Sequence, residues 1–170
     1  VALKAALDAS GLTARSGHFR MDMLEGDITR AIAIAKTLGM EFIAAPILEP
    51  LDRVGDTEHW QAIGRRLGKI AEKVNDGGLQ FAWHNHEFEF QRLADGSMPI
   101  EHILSDPRVK FEIDLAWIAR GKADPAEWIE QFSGRIVAFH FKDLATSGEN
   151  LDEDGWADPG MGILPWKDLW

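Results

Sequence analysis

Two histidines separated by a single asparagine, His84 and His86, stand in the run FAWHNHEFEF at residues 81–90. In an extended chain, residues two apart share a face, so both imidazoles point the same way. Asp114 in FEIDL, and His140 with Lys142 in FHFKD, offer further groups of the same kind. Neutral imidazoles and a carboxylate make a borderline-hard donor set suited to Mn, Co, Fe or Zn as divalent ions. The chain has no cysteine, so no thiolate site and no disulfide framework is open to it. His18 closes an earlier short strand and is placed to line the same mouth. Trp117, three residues beyond Asp114, is placed to wall a sugar pocket. Glu87 and Glu89 read as a solvated rim, with loop carboxylates turning back to the site as the alternative, and Asp143 as a partner that orients Lys142. His59 and His102 fall on helices and read as solvent-facing, while Trp60 and Trp128 read as core.

These groups form one site only if their elements bring them to one end of the molecule. Helical patterns cover residues 1–9, the stretch that Asp27 caps and Gly39 ends, and the long segment from Thr57 to Gly77-Gly78 with Trp60, Ile63, Leu67, Ile70 and Val74 at helical spacing. Pro99 to Ser105 and the segment opened by Asp124-Pro125 complete the helices, the latter with an N-cap followed by proline at the first helical position. Between them lie short apolar runs around 12–18, from Phe42 to Pro46, over 81–86, from Val109 to Leu115 and from Arg135 to Lys142. Helix and strand alternate strictly, which predicts a parallel sheet of right-handed βαβ units.

The strand faces choose between an open sheet and a barrel. Phe81 and Trp83 oppose Ala82, His84 and His86. Phe111, Ile113 and Leu115 oppose Glu112, Asp114 and Ala116. Val137, Phe139 and Phe141 oppose Ile136, Ala138, His140 and Lys142. One face is apolar for helices to cover; the other turns polar toward the C-terminal end. No glycine-rich phosphate fingerprint follows any strand. The pattern predicts an α/β chain of the (β/α)8 barrel type, with its site at the C-terminal mouth. The acidic, glycine-bearing stretch 143–164 is long enough for an active-site lid.

Bulk properties narrow the function. The chain has 170 residues, a formal net charge of −10 and 45% hydrophobic residues, values that suit one domain with a real core and disfavour nucleic acid as the main partner. No apolar run approaches the roughly 18 residues of a membrane helix. A cytoplasmic location is the expectation. The chain opens without methionine at Val1 and stops at Trp170 just as Pro165-Trp166 begins a helix, which reads as a piece of a longer protein.

The segments WHNHEFEF, FEIDLAWIARGKADPAEWIEQFSGRIVAFHFKDL and PGMGILPW resemble the sugar phosphate isomerase/epimerase family. This is the xylose isomerase-like TIM barrel superfamily, which includes inosose dehydratases and ketose 3-epimerases. The resemblance implies a single partial barrel domain over 1–170, with about five parallel strands equivalent to the family's strands three to seven. It implies one divalent metal ion (Mn, Co, Zn, Fe or Mg) bound by His84, Asp114 and His140. His86 and Lys142 are then the catalytic expectations, and Trp117 and His18 the substrate contacts. His84 stands where many relatives have glutamate, and the eighth-strand glutamate of the family lies beyond the chain. The implied activity is a metal-dependent isomerase/epimerase acting on a keto sugar, sugar phosphate or cyclitol through an enediolate. A metal-dependent dehydratase or lyase on an inosose or keto sugar is the alternative. An apurinic-site DNA endonuclease and a non-catalytic incomplete-barrel module are the more distant readings. No nucleic-acid or membrane partner is expected; were the 170 residues the whole protein, pairing of open sheet edges in a homodimer would be the expected remedy.

Overall fold

Helix starts are set by short acidic side chains that take up otherwise unpaired backbone N–H groups. Asp27 accepts from Arg30 N, Asp56 from His59 N and Asp124 from Ala126 N, each at the head of a helix. In this computed structural model, which describes residues 2–169, the helices are α1 (Ala2–Ala9), α2 (Met21–Gly26), α3 (Ile28–Leu38), α4 (Thr57–Asp76), α5 (Pro99–Ile103), α6 (Leu115–Arg120), α7 (Pro125–Phe132) and α8 (Trp166–Leu169). The ends at Val1 and Trp170 lie outside the described residues. Strands β1 (Ser16–His18), β2 (Phe42–Ala45), β3 (Gln80–His84), β4 (Val109–Asp114) and β5 (Ile136–His140) alternate with them.

The five strands pair in chain order, β1-β2-β3-β4-β5, and every pairing is parallel. Sequential order with helices in every crossover curls a sheet toward a barrel rather than winding it both ways. The five strands form a curled half-barrel, an incomplete (β/α)8 barrel. The two faces differ as the alternation predicts. Ile43, Ala45, Phe81, Trp83, Phe111 and Ile113 join Trp60, Ile63, Leu67, Ile70 and Val74 of α4 in the main core. The concave face holds a small cluster of Phe42, Ala44 and Ala82, with Val137 and Ala138 against it. Alanines suit the inside of a curl, where side chains converge and volume is short. Among the described residues, no helix is long and apolar enough to cross a membrane.

Two local details differ from the expected pattern. Phe111 pairs with Ile136 but Glu112 with Ala138, so one residue is inserted at Val137. Ile136 therefore packs into the outer core, and Val137 joins the concave cluster, opposite to strict alternation. Beyond β5 the acidic stretch is not plain loop. Residues Asp143–Leu144 (β6) and Trp156–Ala157 (β7) form a short antiparallel ribbon, with a 3-10 turn at Leu151–Glu153 between them. Helices α2 and α6 were also not expected. The second begins directly at the end of β4, where the Asp114 side chain accepts from Trp117 N and starts it.

Candidate metal centre and active site

Strand register decides which side chains meet. His84 lies beside Glu112, and Asp114 beside His140, in neighbouring parallel strands. His18 and His140 close the two edge strands. Laid flat, four strand spacings of about 4.8 Å would hold those strands about 19 Å apart. The curl brings the two imidazole rings to 5.6 Å between centroids, stacked at 15°. The His84 ring lies 4.3 Å from that of His140 and 5.3 Å from that of His18.

Glu112 is the hub of the group. Its Oε2 is 2.5 Å from His18 Nε2, 3.5 Å from His140 Nε2 and 3.8 Å from His84 Nδ1. One donor atom from each of His18, His84, Glu112 and His140 falls within 4.8 Å of the others. Tetrahedral ligands at about 2.05 Å from a zinc-like ion stand about 3.3 Å apart. The two longer pairs, at 3.5 and 3.8 Å, lie a little above that value, and the short His18–Glu112 contact is a hydrogen bond that an ion would replace. His84 Nδ1 is buried with no hydrogen-bond partner. An orphaned imidazole nitrogen aimed at a carboxylate and two further imidazoles fits a divalent cation.

Protonation supports the same reading. Burial, followed by His140 and His86, lowers the His84 pKa to about 3, so its ring is neutral and able to ligate. Burial pushes Glu112 up, but hydrogen bonds with His140 and His18 overcome it and bring it to about 2. The hydrogen bond to Glu112 raises His140 against the opposing effect of burial.

Asp114, the expected carboxylate ligand, stands outside this group. Its Oδ1 accepts from Trp117 N at 3.0 Å, while Oδ2 lies 3.3 Å from Lys142 Nζ and 3.8 Å from His140 Nδ1. Glu112, two residues upstream on the same concave face, occupies the hub instead. His18, expected on the substrate side, lies within the group. Burial raises the Asp114 pKa, with Lys142 opposing.

The expected substrate side lies next to these four residues. The His86 ring is 5.0 Å from His84 and 4.9 Å from Trp117, and its Nδ1 is buried without a partner. Burial, then the charges of Lys142 and Arg53, lower its pKa to about 4. Lys142 Nζ lies 4.4 Å from the Trp117 ring centroid and 3.7 Å from that of Trp156. Burial lowers its pKa while Asp114 opposes.

Three supporting roles differ from expectation. Glu89 is fully buried rather than a solvated rim; it accepts from Trp83 Nε1 and from His86 N, each at 3.1 Å. Those bonds fix the turn that presents His86, and burial holds the Glu89 pKa well above its usual value. The ion pair of Lys142 is with Asp114 rather than with Asp143, whose carboxylate accepts from the chain that follows it. His59 and His102 are half-buried, bonded to Asp52 O and Ser97 Oγ. Asn85, between the two histidines, is buried and pairs its amide reciprocally with the backbone of Asp114, donating at 3.0 Å and accepting at 2.8 Å.

Glu112 and Trp156 are the site residues that sequence reasoning missed. Glu112 carried a signal, since it shares face and strand with Asp114. Trp156 carried none, because its place depends on how the ribbon folds back.

A curled parallel half-barrel with imidazoles and carboxylates at the C-terminal ends of its strands defines an α/β barrel protein with a metal-type site. The family model described as xylose isomerase-like TIM barrel matches residues 3–170, and the chain belongs to that family. The rhizopine catabolism protein MocC of Rhizobium meliloti is 24% identical over 163 residues, covering 84% of this chain and 49% of that protein. The chain thus spans about half the length of that relative. A sugar phosphate isomerase/epimerase from Parabacteroides distasonis superposes with a TM-score of 0.73 at 24% identity, over 88% of this chain and 58% of that one. The IOLI protein with a bound zinc atom gives 0.72 at 14% identity, over 98% and 66%. At these identities the structural likenesses show the fold alone.

Proposed function

We propose that this chain carries most of the active site of a divalent-metal-dependent isomerase or epimerase acting on a small keto sugar, sugar phosphate or cyclitol. The observation that carries the reading is the convergence of His18, His84 and His140 on one Glu112 oxygen within 3.8 Å. Those four residues would hold the ion, and a divalent ion there would polarise a carbonyl and its neighbouring hydroxyl, making the adjacent C–H acidic. The zinc atom held by the IOLI neighbour supports a divalent ion in this fold without naming the metal for this chain.

The remaining groups divide the proton work. His86, neutral at ordinary pH and set between His84 and Trp117, is the proton acceptor. Lys142 donates hydrogen bonds to a substrate oxygen from beside Asp114. Trp117 supplies an apolar wall, and its ring next to His86 excludes water from one side of the proton path. Removing the proton next to the carbonyl and returning it to the other carbon, while the hydroxyl proton passes between the two oxygens, isomerises the sugar; returning a proton to the opposite face of the same carbon epimerises it.

The test pairs metal analysis with proton exchange. Wild type should bind Zn²⁺, Mn²⁺ or Co²⁺ stoichiometrically, and E112Q and H140A should not. With metal, a panel of ketoses and inososes in D₂O should gain deuterium next to the carbonyl, and K142M should abolish the gain. Loss of water from the substrate after exchange would place the chemistry with dehydratases. Unchanged metal content in E112Q and H140A would sink the reading.

A further inference from the structure

Asp143 follows Lys142 directly and opens the short ribbon strand β6. The carboxylate is fully buried and gathers five donors, all from residues that follow it. Oδ1 accepts from the backbone N–H of Leu144 at 2.8 Å and of Leu164 at 3.0 Å. Oδ2 accepts from Gly160 N at 3.0 Å, Gly162 N at 3.1 Å and the Trp166 indole Nε1 at 2.7 Å. Both ends of the 144–166 segment are thereby pinned to one residue. The packing is tight: a Cβ on Gly162 would collide with the Leu144 carbonyl oxygen and with Asp143 Oδ1.

That pinning fixes an aromatic wall. The pairing of Leu144 with Trp156, reinforced by Ala145 N donating to Gly155 O at 2.9 Å, folds the segment back on itself. Trp156 then lies with its ring centroid 3.7 Å from Lys142 Nζ and meets Trp117 edge-on at 4.5 Å. The Arg120 guanidinium carbon sits 3.4 Å from the same Trp156 centroid, and its Nη1 is 3.2 Å from Asp154 Oδ2. Lys142 is therefore bounded by two indoles and by Asp114. One of those indoles is delivered by the segment that Asp143 pins.

We propose that Asp143 is a positioning residue: by drawing the 144–166 segment onto one carboxylate, it holds Trp156 against Lys142 and so sets where that ammonium points in the mouth. The proposal rests on the reading in which Lys142 acts on substrate. It makes Trp156 a wall of the substrate site and Asp143 the reason it is there. The same short backbone stretch carries both the acting group and the anchor, so the wall is referenced to the lysine itself.

NMR on the full chain tests this without turnover. Ring currents from Trp117 and Trp156 should move the Lys142 ε-methylene protons upfield of the other lysines. D143N should abolish that displacement and speed amide exchange at Gly160, Gly162 and Leu164 by roughly a hundredfold. G162A, which crowds the cage from the opposite side, should do both. W156A should reduce the displacement while those amides stay protected. If D143N frees the amides but leaves the methylene displaced, or W156A leaves it unmoved, the proposal fails. Should D143N not fold, G162A and W156A decide by the same readouts. A wild-type chain that takes up no Zn²⁺ would count against the functional reading and leave these signals unaltered.

Discussion

Glu112 Oε2 and His18 Nε2 stand 2.5 Å apart, although two whole strands separate β4 from β1 in the sheet. The contact exists because the half-barrel is curled, and it makes Glu112 the shared partner of three imidazoles. Glu112→Gln keeps the shape but removes the anionic oxygen. Its affinity for Zn²⁺ or Co²⁺ should fall by more than about a hundredfold, beyond the effect typical of losing an outer-shell partner. Calorimetry checks this, and retention of wild-type affinity would remove Glu112 from the ligand set.

Asn85 links the ends of β3 and β4 through both halves of its amide. Asn85→Ala would remove both side-chain bonds to the Asp114 backbone, at a cost of about 1–3 kcal/mol in stability. Asn85→Asp keeps an acceptor but no donor, so it should recover only part of the loss. Urea denaturation of the metal-free chains reads out both, and an alanine variant as stable as wild type would show that the link is dispensable.

Glu89 titrates in the direction opposite to most surface acids. Its folded pKa is raised by burial, so its contribution is fully present below the unfolded value and is lost as pH rises through the folded one. Glu89→Gln cannot ionise and escapes that loss, although it gives up an acceptor to Trp83 or His86. The melting temperature of E89Q relative to wild type should therefore improve from pH 5 to pH 8. A difference that is constant with pH would show that Glu89 does not titrate in that range.

Gly64 lets α4 approach α5 closely: a Cβ there would run into the His102 carbonyl oxygen and crowd Ser105 Oγ. Gly64→Ala gains helix propensity of about 1 kcal/mol but should still destabilise by about 1–3 kcal/mol net, because backbone cannot yield as a side chain does. Thermal unfolding decides; a stabilised variant would mean that the two helices separate freely.

The sequence carried the fold through period and punctuation. Asp27, Asp56 and Asp124 mark real helix starts, and Phe81, Trp83, Phe111 and Ile113 lie on the outer face where alternation put them. Alternation failed at Val137, because an inserted residue changes parity without changing composition. In the site, His84, His86, His140 and Lys142 come together at one mouth as their spacing implied. The carboxylate was harder to read. Glu112 and Asp114 share one face, and only the curl of the sheet shows that Glu112 reaches the imidazole of the first strand while Asp114 turns to Lys142. Trp156 lay beyond reach of local pattern, since long-range pinning by Asp143 sets its place.

Because His18 belongs to one margin of the sheet and His140 to the other, an ion held between them would act as a clasp on a bracelet. It could form only on a chain whose curvature is already complete, and partly folded forms would have no such grip. Saturation at a hundred times the dissociation constant would then add about 2.7 kcal/mol to the folded state. The same contacts that prepare the chemistry would keep the sheet from opening flat.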